Sequence, residues 1–487
     1  MQGVERSGAE GPAELVLRGG TVLALDAADT RGTAIAVRHG RVLAVGDEAR
    51  VAPLIGRRTR VVDLEGRAVI PGINDSHLHA AWLGAMWPDT VFGAMEAGAG
   101  AEVPSGGHGG PTAEAAPFEA SAAAADPHVP AGPRLVDDEA GRRRAILRAG
   151  ELIASLGITS YTEPGLGPGE DDGATGCFGQ AVLETYRTLE SERALRARVN
   201  VLALFGVLDG PSELRAFLAG LRGLDRQTER PAWLRVAGVK IFADGIPPML
   251  QAWTAHAYPD GSHGDLLVGG GDLGQRAANL AEMIRAVHRQ GLQLGVHATG
   301  DRTIDQVVDA VEAAAAEAPA DLRHYVIHGD LVTPGALERM RGLGMGLNVQ
   351  AGIAAKTAPW VAGVLGEEVA AAAWPIGRAI EAGVRVSLSS DAPVLAPDWR
   401  QGMADADAWM GAAAPADAER RMLQLLHAYT VVPAHQDGAE GWKGTLAPRM
   451  AADLCVLEAN PLELAPAELP DVAVDLTVVD GDVVFER

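Results

Sequence analysis

Short apolar runs alternate with longer stretches of helical periodicity through the middle of the chain, and both ends lack that alternation. Near the N-terminus, 14–18, 21–25, 34–38, 41–45 and 60–64 are brief Val/Leu-rich runs, punctuated by Gly19-Gly20, Gly40 and Gly46 as turns would be. The C-terminal end has the same texture at 453–457 and 476–485, where Asp480-Gly481 marks a tight hairpin. Two β-rich ends around a different middle predict one small sheet domain built from both termini.

In the middle, strands are predicted at 68–71, 157–161, 199–204, 236–242, 292–297, 325–328, 345–349 and 384–389. Helical stretches at 142–156, 178–195, 280–290, 303–316 and 369–382 fall between most of them. Repeated strand–helix units imply parallel strands, and eight strands are what a (β/α)8 TIM barrel needs to close. A doubly wound open sheet is the alternative. The expected fold class is therefore α/β, a TIM barrel plus a small β-sandwich formed by both termini. The expected division is 1–68 for the first part of the sandwich, 69–440 for the barrel and 441–487 for the sandwich's return. The Ala/Gly/Pro-dominated segment 98–133 reads either as a lid over the barrel mouth or as an insertion without function.

Length fits this division, since 487 residues exceed one small domain but suit a barrel of about 250 residues with a satellite. A 47% hydrophobic and 22% charged composition is that of a soluble globular protein. The net charge of −23 argues against nucleic acid or an anionic membrane as partner. No apolar stretch has the length of a membrane span, and the N-terminus carries no basic-then-apolar leader. Cys177 and Cys455 stand far apart and read as reduced thiols, so the expected location is cytoplasmic.

Candidate chemistry gathers at predicted strand ends, where barrel enzymes keep their active sites. His77 and His79 follow the first strand; at i and i+2 on extended backbone, both imidazoles can face one ion. Lys240 lies near the end of the fourth strand, His297 ends the fifth, His328 ends the sixth and Asp391 follows the eighth. Among 41 Lys and Arg residues only Lys240, Lys356 and Lys443 are lysines. A lysine amine can take up carbon dioxide as a carbamate that bridges two metal ions, whereas a guanidinium stays charged. Lys356 and Lys443 look unremarkable. His324 falls toward the opposite barrel end from His328, about 13 Å away along an extended strand. His39, His108, His128, His256, His263, His288, His427 and His435 are likewise not assigned to metal.

The segments Pro71-Gly-Ile-Asn-Asp-Ser-His77-Leu-His79, Val239-Lys-Ile-Phe-Ala-Asp-Gly, His297-Ala-Thr-Gly-Asp-Arg, His328-Gly-Asp and Ser389-Ser-Asp391 together resemble the amidohydrolase superfamily. More narrowly they resemble its YtcJ-like branch, which includes N-substituted formamide deformylase. The 444–457 stretch is similar to that superfamily's return from barrel to sandwich. The resemblance implies a zinc-type site of one or two ions, with iron, manganese or cobalt as alternatives. It implies that His77, His79 and Asp391 bind one metal, that His297 and His328 bind the second, and that carboxylated Lys240 bridges them. A homodimer is usual among relatives.

That ligand set implies hydrolysis of an amide-type C–N bond by hydroxide generated at the metal, and the resemblance implies a small apolar or aromatic substrate of the N-acyl or N-formyl amine class. Asp391 is the expected proton carrier. Deamination, opening of a cyclic amide or lactone, a metal-dependent lyase or isomerase, and a non-catalytic binding protein are the alternatives. Glu163, at the end of the second strand, lines the pocket, touches metal or caps the next turn. Trp82, Trp87, Trp253, Trp360 and Trp399 follow strands, five of nine tryptophans. They form an apolar substrate wall, with Trp82 and Trp253 foremost, or simply pack large loops.

Overall fold

The computed structural model describes residues 11–99, 134–411 and 417–487. Most of the segment 98–133, with His108 and His128, lies outside the described residues.

Eight parallel strands follow one another in the middle of the chain. They are β1 (Ile73–Asp75), β2 (Ile158–Leu166), β3 (Arg198–Leu204), β4 (Leu234–Phe242), β5 (Gln293–Ala298), β6 (Tyr325–His328), β7 (Gly346–Val349) and β8 (Arg385–Leu388), hydrogen-bonded in chain order. The ring meets just beyond β1 and β8, where Leu78 bridges Ala392 in parallel. There Asp391 N donates to His77 O at 2.8 Å and His79 N donates to Ala392 O at 2.8 Å. Asp75 Oδ1 accepts from Ser390 N at 3.1 Å, which ties first strand to eighth. This is a TIM-barrel-like α/β fold.

Helices coat the outside, among them Glu139–Ser155, Gln180–Ser191, Leu273–Arg289 and Asp301–Glu317. Their apolar faces and the outward-facing side chains of the strands share one large core, with Val199, Val201, Val239, Ile241, Val296 and Val326 all buried. The helix expected at 369–382 is two short ones, Glu367–Ala372 and Ile376–Glu381. Pro375 separates them, because a proline inside a helix removes a hydrogen bond and clashes with the preceding turn.

Inside the barrel the layers differ. Leu202, Ala237, Tyr325 and Ile327 form a small apolar cluster. Beside it, Asn348 Nδ2 donates to Ser76 Oγ at 2.7 Å, and Gln350 Nε2 donates to Asn348 Oδ1 at 2.7 Å and Ser389 Oγ at 2.8 Å. Gly295 leaves room for this filling, since a Cβ there would sit 2.7 Å from Leu202 and 2.9 Å from the Tyr325 hydroxyl.

Both termini build a second, eight-stranded sheet. The runs on either side of Gly19-Gly20 are one strand, Leu15–Leu23, whose register shifts between Arg18 and Val22. The C-terminal hairpin pairs Val474–Val479 with Asp482–Glu486, and Asp480 (φ 54°) and Gly481 (φ 85°) supply the left-handed backbone its turn needs. One expected barrel strand belongs to this sheet. Ala68–Pro71 pairs antiparallel with Leu454–Leu457 and parallel with Leu15–Leu23, and Ile73–Asp75 takes its place in the barrel. The two segments abut across Gly72, so their hydrophobicity alone does not separate them. No helix among the described residues is long and apolar enough to cross a membrane.

Candidate metal centre

The parallel register sets the site. Lys240 is level with Gly295 and Phe242 with His297, so these residues of neighbouring strands share the barrel's inward face. His328 is level with Ala298. His328 and Asp391 both sit in left-handed backbone, at φ 70° and 57°. Non-glycine residues in that region carry strain of about 1–3 kcal/mol, which the surrounding structure must offset.

His77, His79 and Asp391 are buried, and one ligand atom of each lies within 4.8 Å of the others. Asp391 Oδ1 is 3.2 Å from His77 Nε2 and 3.4 Å from His79 Nε2. The two rings stand edge to face, 5.2 Å between centroids. His328 joins from the other side, 5.6 Å from His77 and 4.5 Å from His297. Lys240 is 1% exposed, with Nζ 4.5 Å from the Phe242 ring centroid and within electrostatic reach of Asp391. Thus the six side chains that the sequence points to do converge at one barrel end, the three from β1 and β8 most tightly.

Their charges are coupled. Burial pushes His77 down to about 3, despite Asp391 beside it. Burial also pushes His79 down, but its hydrogen bonds to Asp391 and Glu163 outweigh that and hold it at about 9. Asp391 is desolvated, yet the two imidazoles keep its carboxyl well below the usual range. Burial lowers the Lys240 amine to about 8, so a sizeable neutral fraction exists near neutral pH. Such an amine is competent to add to carbon dioxide.

A divalent ion fits this donor set. Imidazole nitrogen and carboxylate oxygen suit zinc and its neighbours. His77 Nδ1 and His297 Nδ1 are buried without a hydrogen-bond partner, which is costly unless something else occupies them.

Glu163 does not face open space. It is 1% exposed and its oxygens are taken up by protein groups: His79 Nδ1 at 3.1 Å, Ala80 N at 2.8 Å and the Tyr186 hydroxyl at 2.8 Å. Tyr161 continues the chain, its hydroxyl donating to Tyr186 Oη at 3.1 Å. These contacts set Glu163 behind His79 and at the start of Ala80–Met86, the helix that follows β1, rather than on the turn after β2. Trp82 lies 6.2 Å from His79 and 5.6 Å from Phe178, which itself packs 5.1 Å from His79. Trp253 instead faces Arg302, whose Cζ is 6.0 Å from its ring, and Trp360 stacks on Phe92 at 5.9 Å. Trp399 is not at the mouth: it is 1% exposed and donates to Leu156 O, ahead of β2, at the barrel's other end.

Sequence reading missed Phe178, Tyr186, Asp75 and Asp209. Asp209, on the loop after β3, lies within electrostatic reach of Asp391, Lys240 and His79. Its only signal was its place after a strand end, which many loop residues share.

The chain belongs to the amidohydrolase family, whose model matches residues 122–485. That stretch contains Lys240, His297, His328 and Asp391 but begins after His77 and His79. Over 262 residues the chain is 26% identical to the putative amidohydrolase YtcJ of Bacillus subtilis, covering 52% of this chain and 48% of that one. It is 32% identical over 226 residues to N-substituted formamide deformylase of Arthrobacter pascens, covering 44% and 39%. These matches span about half the length, or less, of the two relatives. An uncharacterized metal-dependent hydrolase of Pyrococcus furiosus has the same fold, with TM-score 0.67, 20% identity and coverage of 92% of this chain and 99% of that one.

Proposed function

We propose that this protein is a metal-dependent hydrolase that cleaves an amide-type C–N bond in a small apolar or aromatic substrate of the N-acyl or N-formyl amine class. The observation that carries the reading is the buried triad of His77, His79 and Asp391, with donor atoms within 4.8 Å at the C-terminal rim of the barrel. His297 and His328, 4.5 Å apart, would hold a second ion, and Lys240 as a carbamate would bridge the two. A bound divalent ion supplies a water of lowered pKa and polarises the scissile carbonyl.

The chain's own residues do the rest. Asp391 accepts the proton of the attacking water and delivers it to the departing nitrogen, so that amide and water become acid and amine. Glu163 fixes the plane of the His79 ring. Trp82 and Phe178 form an aromatic edge beside His79, which suits an aryl or alkyl group and helps exclude water. The similarity to N-substituted formamide deformylase supports the N-formyl class. We read residues up to Pro71 and from about 441 as one composite sandwich domain, and the barrel as the catalytic unit.

A screen of N-formyl, N-acyl and cyclic amides on zinc-loaded protein tests the proposal, with amine, formate and ammonia release followed separately. Amine with formate or another acid is expected. Ammonia release would favour a deaminase on the same residues, and no turnover of any C–N substrate would contradict the reading.

A further inference from the structure

The base of the barrel, opposite the metal centre, is closed by the segment 435–443, and nearly every strand start reaches it with a polar group. Asn74 Nδ2 donates to Asp437 Oδ2 at 2.7 Å. Lys443 Nζ donates to Ser160 Oγ and Asp437 Oδ2, both at 2.6 Å. Gln293 Nε2 donates to Gln436 O at 2.7 Å, Arg323 Nη1 to His435 O at 2.6 Å and Ser387 Oγ to Gln436 Oε1 at 2.9 Å. β7 is the exception, and β3 reaches the segment through Arg198, whose Cζ lies 5.1 Å from the Trp442 ring. Asn200 of β3 is 8% exposed, and its side-chain amide makes no hydrogen bond among the described residues.

Asn200 faces a cavity of about 280 Å³, lined also by Arg198, Arg235, Asp437, Trp442 and Lys443. The charges around it are unequally matched. Arg198 grips Asp453 at 2.7 and 2.9 Å and reaches Asp480 at 3.1 Å. Lys443 pairs with Asp437. Arg235, by contrast, makes one hydrogen bond, to the main-chain Asp437 O at 2.5 Å, and no carboxylate lies within ion-pairing distance among the described residues. Arg226, nearby, is held below its usual range by burial and then by the charge of Arg235. Of the three cations that line the cavity, Arg235 is thus the one without a carboxylate partner among the described residues.

We infer that this cavity is a second ligand site, which takes a small carboxylate or phosphate anion on Arg235 and Asn200. The guanidinium keeps unused donors in the planar fork that matches either anion, and the Asn200 amide supplies another. Arg235 otherwise has one main-chain acceptor and no carboxylate, and the Asn200 amide has no hydrogen bond among the described residues; a bound anion would serve both.

Calorimetric titration of the metal-loaded full chain with succinate and, separately, inorganic phosphate tests the site, with chloride matching ionic strength. Saturable binding of at least one anion is expected. Arg235→Gln and the isosteric Asn200→Asp should each weaken it at least about tenfold, while His328→Ala, which alters only the metal centre, should leave it unchanged. Wild-type-like melting of the two base variants shows that folding is not the cause; should one fail to fold, the other decides. Absence of saturable binding by either anion overturns the inference, as does binding that survives both base substitutions. Loss of binding in His328→Ala alone would place the anion at the metal centre instead and equally overturn it.

Discussion

Glu163 Oε1 lies 3.1 Å from His79 Nδ1, while its other oxygen holds Ala80 N and the Tyr186 hydroxyl. One carboxylate thus fixes the imidazole and the start of the helix that follows it. Partners of this kind orient metal-binding histidines and typically govern metal affinity by about 10–100-fold. Glu163→Gln keeps the size but gives up the charge, and zinc affinity, read by chelator competition, should fall within that range. Tyr186→Phe should fall less, because the carboxylate remains.

Asp391→Asn preserves shape and removes the proton carrier. Turnover should drop by at least about a hundredfold, with most of the metal retained because the histidines remain. Paired kcat and metal-content measurements check this, and near-normal turnover would remove Asp391 from its role.

His288 Nδ1 and His324 Nε2 are 2.9 Å apart and both rings are buried. The hydrogen bonds fix the ring orientations: Leu294 N donates to His324 Nδ1 at 3.0 Å, and His288 Nε2 donates to Ala318 O at 2.7 Å. Burial, then His288, lowers His324 to about 3. The unfolded histidine, near 6.5, therefore takes protons that the folded one refuses. Stability from this group is complete above about 6.5 and declines by up to about 1.4 kcal/mol per pH unit below it, toward 3. Asp75, Asp244 and Asp330, each raised by burial to about 7, act in the opposite sense. The clean observable is thus the stability gap between wild type and His324→Asn in urea, where those carboxyls cancel. That gap should narrow as pH falls from 7 to 5.

Lys443 and Asp437 form an ion pair at 2.6 Å, with both side chains about 5% exposed. Removing one partner of such a pair strands a buried charge and costs about 3–5 kcal/mol. Lys443→Met should lower the urea midpoint accordingly, and Lys443→Met with Asp437→Leu should recover much of the loss.

The strand ends are legible because the histidine and aspartate donors fall at or just beyond the ends of apolar runs, whereas Lys240 lies within one. His297 is the last residue but one of β5, His328 ends β6, and Asp391 follows β8 by three residues. The first strand was misplaced because Ala68–Pro71 and Ile73–Asp75 form one apolar stretch, and only pairing with Leu454–Leu457 shows where the sheets part. Lys443 looks ordinary in sequence because its burial is not local: Asp437 is six positions away, but the strand starts that enclose the pair, Asn74 and Ser160, are about 280 positions or more distant. Trp399 was misjudged for a related reason: the chain turns back after β8, and its indole ends against Leu156 near the base. Glu163 and Tyr186 are 23 positions apart on a strand and the next helix, and nothing in either segment announces that they meet.

The central claim is that His77, His79, His297, His328, Asp391 and carboxylated Lys240 hold divalent metal at one rim of the barrel. Zinc content per chain, measured by inductively coupled plasma mass spectrometry on protein produced with zinc, tests it most directly. At least one tightly held equivalent is predicted for the wild type, with marked loss in His79→Ala. Wild-type protein with no zinc above background, or full zinc retention in His79→Ala, would contradict the account.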